Sequence, residues 1–286
     1  MMINQNYKSK KRFCAITGAN AGIGKETAMQ LAIKGYHIIM ICRNREKAEV
    51  AQKEIKDKSG NEKIDLLIAD LASLKSVKSV AKEFKQKFEY LHVLINNAGI
   101  FNRKRIVTEN GYESTFAVDY LAHFLLTNSL LDVIKKSAPS RIINVSSNIH
   151  QYFKINFDDL MSEKKYSSQK AYANAKFALV LFTYELARRL NGTGVTVNAL
   201  HPGHARTKMT APTKKSSKIF LALMSPLTKS PDEAARTSVY LASSPEVEGI
   251  TGNYFKNCKS VKSHKLTYDE SLQTKVWRIS EKLVNI

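Results

Sequence analysis

The sequence predicts an α/β fold, with a single domain built around a doubly wound parallel sheet that carries helices on both faces. Short apolar runs recur along the chain and alternate with longer amphipathic stretches, which is typical of β-α-β crossover units. No linker, internal repeat or low-complexity segment interrupts this alternation across residues 1–286. With 286 residues and 43% hydrophobic content, the chain is long enough to bury one substantial core.

The apolar runs define about seven strands. Continuous apolar runs are expected where helices cover a parallel strand on both faces. A short seventh strand is expected near residues 253–255, and the amphipathic stretches supply the crossover helices. The six longer strands are predicted at residues 13–17, 36–42, 64–69, 92–96, 141–145 and 195–200.

The first strand leads into a glycine-rich turn, with Gly18, Gly22 and Gly24 followed by a helix-like stretch. Glycines let the backbone turn tightly and approach a pyrophosphate closely, and the N-terminus of the helix then faces the phosphates. The spacing is a variant of the dinucleotide fingerprint, so the interpretation depends on the strand-turn-helix context. A glycine-rich turn without a ligand is the alternative. The context favours a Rossmann-like nucleotide site.

The end of the second strand indicates which dinucleotide binds. Arg43 stands where an NAD enzyme usually has an acidic residue for the ribose 2′-hydroxyl. A guanidinium suits a 2′-phosphate, so the sequence favours NADP(H) over NAD(H). Lys25 and Arg45 either reinforce this positive charge or are solvated surface cations.

A phenol, an ammonium and a hydroxyl are predicted to converge after the fifth strand. Tyr172 and Lys176 are four residues apart and share one face of a helix, and Ser147 follows the strand at 141–145. The ordinary tyrosine pKa of about 10 is too high for efficient proton exchange at neutral pH, and a nearby cation lowers it. Tyr-x3-Lys alone also occurs as a half-buried aromatic beside a solvated lysine. Beside a cofactor loop, it predicts acid-base catalysis of hydride transfer.

Together these motifs resemble the short-chain dehydrogenase/reductase family, from Phe13 to near the C-terminus. The resemblance implies that Tyr172 and Lys176 are the catalytic pair and that Ser147, the second of two adjacent serines, orients the substrate. It also implies contacts with the cofactor along the whole dinucleotide. The residues implied for cofactor binding are Gly18, Asn20, Gly22, Ile23, Gly24, Asp70, Leu71, Asn97, Ala98, Gly99, Tyr172, Lys176, Pro202, Gly203 and Thr207.

Finer similarities are to the retinol dehydrogenase-like branch of that family. They include His201-Pro-Gly203 and the segment Asn156-Phe-Asp-Asp-Leu160. This similarity implies an NADP(H)-dependent alcohol dehydrogenase or carbonyl reductase that interconverts a lipophilic alcohol, such as a retinoid, and its aldehyde or ketone. Many relatives in that branch carry an N-terminal membrane segment, and none is recognisable here, which weakens the retinoid assignment.

One position departs from the family pattern. Where the family usually has Asn on the fourth helix, this chain has Asp119. The family residue helps to hold a water that relays protons to the lysine, partly through its backbone carbonyl. A carboxylate there would pair with Lys176 and change the relay, so a second hypothesis is a cofactor-binding sensor or interaction protein with impaired catalysis. The resemblance also implies a homodimer through the two long helices that contain Asp119 and Tyr172.

The formal net charge of +20 would attract cofactor phosphates, a membrane surface or nucleic acid. A third hypothesis is therefore a basic binder of nucleic acid or of a membrane surface on this fold. The lysines are dispersed along helices and are not grouped with stacking aromatics, which argues against nucleic acid. Contact with a membrane surface is an alternative that the charge distribution leaves open.

Residues 1–12 form a polar, basic extension, and the sequence shows no 18-residue apolar span or signal-peptide core. Cys14, Cys42 and Cys258 form no C-x-x-C pair, so the thiols are expected to be reduced and the protein to be cytoplasmic. No metal site is expected, because no Cys or carboxylate cluster accompanies His201 and His204.

Residues 207–231 are predicted to form a substrate lid. Three of the six prolines fall between residues 211 and 231, and an apolar stretch at 217–225 could line a lipophilic pocket. An ordinary packed helix is an equal alternative, because a short apolar run does not distinguish the two.

Overall fold

The structure is a computed structural model that describes residues 12–203 and 230–286. Its described residues contain one sheet of eight strands. The strands are β1 (Phe13–Thr17), β2 (His37–Cys42), β3 (Ile64–Ile68), β4 (Val93–Asn96), β5 (Ser140–Val145), β6 (Val195–His201), β7 (Tyr254–Lys256) and β8 (Lys259–Val261). Their order in the sheet is β3-β2-β1-β4-β5-β6-β7-β8. The first seven strands are parallel, as expected, and β8 is antiparallel to β7.

Seven long helices cover the two faces of the sheet within the described ranges. They are α1 (Gly22–Ile33), α2 (Arg45–Ser59), α3 (Leu74–Lys87), α4 (Ser114–Lys136), α5 (Ser168–Arg189), α6 (Pro231–Ser243) and α7 (Glu270–Val284). Buried side chains of α1, α2 and α6 pack on one face, and those of α3, α4, α5 and α7 pack on the other. The predicted doubly wound α/β fold is therefore confirmed.

Successive residues of a strand point alternately into the cores on the two faces of the sheet. The sequences of the strands are therefore apolar at nearly every position. In β2, Ile38 and Met40 contribute to the core under α1 and α2, while Ile39 and Ile41 contribute to the core under α3 to α5. The sequence did not predict β8. All three of its residues are exposed, and it is reached through a two-residue turn in which Asn257 and Cys258 both have positive φ.

Helix α4 has a π-helical turn at Ala117–Leu121, between α-helical segments at Ser114–Phe116 and Ala122–Lys136. Its start is fixed by the buried Glu113, whose carboxylate accepts hydrogen bonds from the backbone N–H groups of Thr115 (2.9 Å) and Phe116 (2.8 Å). Such turns are frequent at functional sites because they redirect side chains locally. Asp119 is the central residue of this one.

By length and composition, α4 could also cross a membrane, which differs from the expectation that no such span exists. In the fold, 78% of the 18-residue apolar stretch of this helix is buried. It packs with α3 and α5 in one core, so its apolar character is accounted for by protein contacts.

The C-terminal helix α7 packs over α4 and α5. Trp277 contacts Phe124 edge to face, with ring centres 5.1 Å apart, and stacks on Phe182 at 5.8 Å. The hydroxyls of Tyr120 and Ser280 are hydrogen bonded at 2.5 Å. The chain therefore covers part of its own α4–α5 face.

Candidate active site

A cavity of about 990 Å³ opens at the carboxyl ends of the parallel strands. It includes the point between β1 and β4 where the order of strands reverses, which is the usual ligand site of doubly wound sheets. Asp119 does not line it, and Thr207 lies outside the described residues, as does nearly all of the predicted lid. The predicted site residues that line it are Gly18, Asn20, Gly22, Ile23, Gly24, Arg43, Asp70, Leu71, Asn97, Ala98, Gly99, Ser147, Tyr172, Lys176, Pro202 and Gly203.

The glycine-rich turn forms a close-packed cradle between β1 and α1. Gly18 has a φ of +69°, and a Cβ built on Gly24 would lie 2.5 Å from the carbonyl oxygen of Gly18. No side chain caps the N-terminus of α1, and its first turn has no acidic residue, whereas Asn44 caps α2 and Ser73 caps α3. The free N–H groups at the start of α1 can therefore bind a pyrophosphate.

Thr17 ties the cradle to the end of β4. Its hydroxyl oxygen accepts hydrogen bonds from the backbone N–H groups of Asn97 and Ala98, each at 2.9 Å, and the Asn97 side chain donates to the Thr17 carbonyl at 2.8 Å. The Nε2 atom of His123 lies 3.2 Å from the same hydroxyl. These bonds hold in register the two strand ends that border the cofactor cleft.

Arg43 differs from the two cations that could have reinforced it. Lys25 is 2.5 Å from the carboxylate of Glu54, and Arg45 pairs with Glu49 at 3.5 Å. Arg43 is exposed at the cavity wall and forms no ion pair with any residue that the structure describes. Of these three, Arg43 alone is available to an anionic ligand.

Tyr172, Lys176 and Ser147 converge on the other half of the cavity. The Nζ atom of Lys176 lies 5.5 Å from the centre of the Tyr172 ring and donates to the carbonyl oxygen of Val145 at 3.2 Å. The Ser147 hydroxyl is close enough to the Tyr172 phenol to lower its pKa. Phe101 packs edge to face on Tyr172, with ring centres 5.7 Å apart. The three groups that the sequence predicted are thus in one place.

Burial raises the pKa of Tyr172 above its ordinary value, and the carboxylate of Asp119 raises it further, while Lys176 and Ser147 act in the opposite direction. For Lys176, burial lowers the pKa, but the attraction of Asp119 and Tyr172 prevails and the pKa lies above its usual value. At neutral pH the lysine is therefore a cation and the phenol beside it is protonated.

Asp119 is a buried partner of this lysine. One carboxylate oxygen, Oδ2, lies 3.2 Å from the Nζ atom of Lys176, and the other accepts a hydrogen bond of 2.7 Å from the Ile100 backbone. Burial raises the pKa of Asp119 to about 6, although Lys176 opposes this. A Cβ at Gly99 would lie 2.9 Å from Oδ2, so a side chain at this position would displace the Asp119 carboxylate.

The backbone carbonyl of Asp119 also has a partner. It lies 3.3 Å from Nδ1 of His123, and burial lowers the pKa of that histidine to about 3, so its ring is neutral. In the sequence, His123 matches the histidine of the family pattern around Asp119, but the pattern alone assigned it no role. The structure shows that it links the π-helical turn to Thr17 and thereby to the cofactor cradle.

The wall of the cavity next to Tyr172 is largely apolar. A long apolar ligand could therefore lie against it with a polar end at the phenol. Tyr152 is 79% exposed at the rim. Pro231, at the start of α6, is the described residue of the predicted lid that reaches the cavity. The residues of this wall are Ile100, Phe101, Ile149, Tyr152 and Gln169.

Among the described residues, no group of three or more His, Cys, Asp or Glu side chains could hold a metal ion, and His204 lies outside them. Cys14 and Cys42 are buried free thiols. Burial raises the pKa of Cys14 and raises that of Cys42 to about 11, so neither is an activated nucleophile at neutral pH.

Residues 12–218 match the family model described as short chain dehydrogenase. The human protein Retinol dehydrogenase 14 is 45% identical over 293 residues, an alignment that covers 95% of this chain and 85% of that protein.

Two solved structures share the fold. A protein of uncharacterised function from Mycobacterium paratuberculosis is 29% identical, with a TM-score of 0.76 over 96% of this chain and 93% of its own. A blue fluorescent protein from a metagenomic library, in complex with NADPH, is 26% identical, with a TM-score of 0.68 over 85% of this chain and 95% of its own.

Proposed function

Because the chain belongs to the short-chain dehydrogenase family, we propose that it is an NADP(H)-dependent oxidoreductase that interconverts a lipophilic alcohol and its aldehyde or ketone, with retinoids as the first substrates to test. The observation that carries this proposal is the convergence of Tyr172, Lys176 and Ser147 between a glycine cradle and an apolar wall. The retinol dehydrogenase relative supports the choice of substrate class.

The catalytic roles follow from the positions of the three groups. A nicotinamide cofactor held by the glycine cradle would supply the hydride, or accept it in the reverse direction. Ser147 donates a hydrogen bond to the substrate oxygen. Tyr172 protonates that oxygen during reduction and accepts the alcohol proton during oxidation. The ammonium of Lys176 favours the phenolate and binds the ribose next to the nicotinamide.

Asp119 would act behind this pair. With a pKa of about 6 and direct contact with Lys176, its carboxylate can exchange a proton near neutral pH. It would therefore stand at the start of the path by which the proton leaves the site, in place of the amide usual in the family.

The preference for NADP(H) is proposed from Arg43. Its guanidinium has no ion-pair partner among the residues described, and it lies at the end of β2 on the cavity wall, where a 2′-phosphate would be bound. The complex of a structural relative with NADPH is consistent with this choice. Titration of the purified protein with NADPH and with NADH tests it, and equal dissociation constants would refute it.

The activity itself is tested by following NADPH oxidation with retinal, aliphatic aldehydes and ketosteroids as substrates. We expect turnover with at least one lipophilic carbonyl compound and none with Tyr172→Phe. Binding of NADPH without turnover on any of these compounds would overturn the proposed activity. It would favour the second candidate function, a cofactor-binding sensor.

The sensor candidate depends on the buried Asp119–Lys176 pair. The carboxylate partly neutralises the ammonium and raises the pKa of Tyr172, which slows proton exchange. If the natural protein is a sensor, Asp119→Asn should create turnover that the natural protein lacks. If the natural protein already turns over, the sensor candidate is rejected.

A peripheral contact with an anionic membrane is proposed for the exposed residues of the segment 103–106 and for Tyr152, which lines the cavity. Tyr152 is 79% exposed and Ile106 is 52% exposed, and the exposed Arg103 and Lys104 have no ion-pair partner among the described residues. Cations beside exposed apolar side chains suit an anionic lipid surface. Flotation with vesicles that contain phosphatidylserine tests this. Equal binding to vesicles of phosphatidylcholine alone would remove the electrostatic contribution.

A homodimer through α4 and α5 and a cytoplasmic location stay predictions. Because α7 packs over α4 and α5 through Trp277, such a dimer must use the parts of these helices that α7 leaves uncovered. Sedimentation measures the oligomeric state, and cell fractionation tests the location. The predicted absence of nucleic-acid binding is tested by salt-dependent titration with DNA and RNA.

A further inference from the structure

Two histidines contact opposite ends of one peptide group, the one that joins Ser147 to Asn148. The carbonyl oxygen of Ser147 is 2.6 Å from Nδ1 of His150. The backbone N–H of Asn148 donates to Nδ1 of His201 at 3.3 Å. Both polar groups of this peptide are thus bound by imidazole rings.

The partners of each ring define its protonation. A carbonyl oxygen only accepts, so His150 carries its proton on Nδ1, and its Nε2 accepts from the backbone N–H of His264 at 3.4 Å. The N–H of Asn148 only donates, so Nδ1 of His201 carries no proton. Each histidine therefore has a defined role, one as donor and one as acceptor.

Both rings are held in place by the fold. His150 is buried and meets the ring of Tyr254 edge to face, with centres 4.8 Å apart, and that of Phe177 at 6.2 Å. His201 is buried at the end of β6 and immediately precedes the Pro202-Gly203 wall of the cavity. The peptide after Ser147 is thus connected to two buried and separate parts of the fold.

We propose that His150 and His201 are positioning residues that fix the peptide after Ser147 and thereby aim the Ser147 hydroxyl at the substrate oxygen. This rests on the role proposed for Ser147. A planar peptide bound at both ends cannot rotate freely, so the direction of the Ser147 side chain is restricted. The neighbouring backbone alone holds the Ser147 hydroxyl only weakly. The Ser147 hydroxyl accepts from the Ile149 N–H at 3.3 Å, in a short 3₁₀ turn.

The first test replaces His201 by two residues of different chemistry. His201→Leu removes the acceptor, and we expect kcat with retinal to fall at least tenfold while KM and the NADPH dissociation constant change less than twofold. His201→Asn offers a side-chain oxygen near the position of Nδ1, so kcat should recover to within about threefold of the natural protein. Equal kcat for the two variants would overturn the proposal.

His92 provides a matched control. Its Nδ1 also accepts from a backbone N–H, that of Phe13 at 3.2 Å, but Phe13 is the first residue of β1, at the end of the sheet opposite the cavity. His92→Leu should lower the melting temperature without changing kcat. If His92→Leu lowers kcat as much as His201→Leu, general destabilisation explains both and the positioning role is rejected.

A double-mutant cycle separates this proposal from the proposed role of Ser147. Ser147→Ala should lower kcat, and adding His201→Leu to that variant should then have less than a twofold further effect. A full additional loss in the double variant would show that His201 does not act through Ser147. If Ser147→Ala leaves kcat unchanged, the proposed role of Ser147 fails first, and the positioning role fails with it.

Discussion

The two halves of the cavity are built on different physical principles. The cofactor half consists of backbone N–H groups, glycines that admit close approach, and the exposed cation of Arg43. The catalytic half places two charges of opposite sign, Asp119 and Lys176, where they are 0% and 3% exposed. One half depends on shape and on hydrogen-bond donors, and the other depends on the balance of buried charges.

This difference determines how substitutions should act. Changes to the cofactor half alter affinity, because the groups there bind a ligand and do not depend on one another's charge. Changes to the catalytic half alter protonation, because in a medium of low polarity each buried charge shifts the pKa of its neighbours. A substitution that alters affinity alone in the catalytic half, or protonation in the cofactor half, would contradict this division.

The largest effect is expected for Tyr172→Phe. The ring would still pack against Phe101, but the proton donor and acceptor would be absent. We expect turnover to fall by about a thousandfold or more, while the NADPH dissociation constant changes less than threefold. Steady-state rates and fluorescence titration of the same samples measure the two quantities. Substantial remaining turnover would remove Tyr172 from the mechanism.

Lys176→Met should damage both catalysis and stability. It leaves Asp119 buried without its cation, which costs about 3 kcal/mol of unfolding free energy at neutral pH. The pKa of Asp119 is already raised, and loss of the cation raises it further, so the folded state holds a proton that the unfolded state releases. Between about pH 4 and 6 both proteins lose stability alike as the pH rises, so the difference between them should grow only above about pH 6, through pH 8.

Lys25→Met is the matched control for that prediction, because it also breaks a lysine–carboxylate pair. That pair is partly exposed, with Lys25 and Glu54 side chains accessible to 28% and 35%. Its loss should cost about 1 kcal/mol or less, with no growth between pH 6 and pH 8. Urea denaturation at several pH values compares the two variants. Similar losses would show that burial of the Asp119–Lys176 pair is not decisive.

Arg43→Asp should weaken NADPH binding by about tenfold to a hundredfold, which corresponds to about 1.5–3 kcal/mol for a charged hydrogen-bond partner. NADH affinity should hold or improve, because the carboxylate can accept from the ribose hydroxyls. Arg45→Asp is the control, since Arg45 already pairs with Glu49. If both variants change the preference for NADPH over NADH equally, the preference comes from the overall positive charge of this surface and not from a direct contact with Arg43.

The fold could be predicted from the sequence because its determinants are local. Apolar strands, amphipathic helices and the glycine turn are each visible within a few residues, and all seven predicted strands exist. Strand β8 was not predictable, since it is exposed and has no apolar pattern, and its turn uses Asn257 and Cys258 instead of glycine. The π-helical turn in α4 was equally invisible, because its composition does not differ from that of an α-helix.

The candidate site was predictable where a residue type has one evident use, as for Tyr172, Lys176 and the glycines. It was not predictable where a role depends on a distant partner. Whether Lys25 reaches the cofactor or pairs with Glu54 depends on how α2 packs beside α1. The roles inferred for His150 and His201 need β5 and β6 to lie side by side, and no spacing in the sequence conveys that contact.

The smallest effect, and the finest test of the catalytic half, is expected for Asp119→Asn. The carboxylate raises the pKa of Tyr172 by offsetting the pull of Lys176, so its removal should lower the pKa of that phenol. In alcohol oxidation the phenolate is the base. The variant should therefore oxidise the alcohol faster near neutral pH, by about threefold to tenfold, because a larger share of the phenol is ionised.

The pH dependence of the rate difference between Asp119→Asn and the natural protein tests this explanation. The pKa of Asp119 is about 6, so below that pH the natural carboxyl becomes neutral and resembles the amide. The two proteins should converge below pH 6 and separate as the pH rises through 6 to 8. A pH-rate profile of alcohol oxidation at saturating NADP⁺ measures this. Coincident profiles at every pH would mean that the charge of Asp119 does not reach Tyr172. A ratio of the two rates that is the same at every pH would mean that the substitution acts through the shape of the site and not through charge.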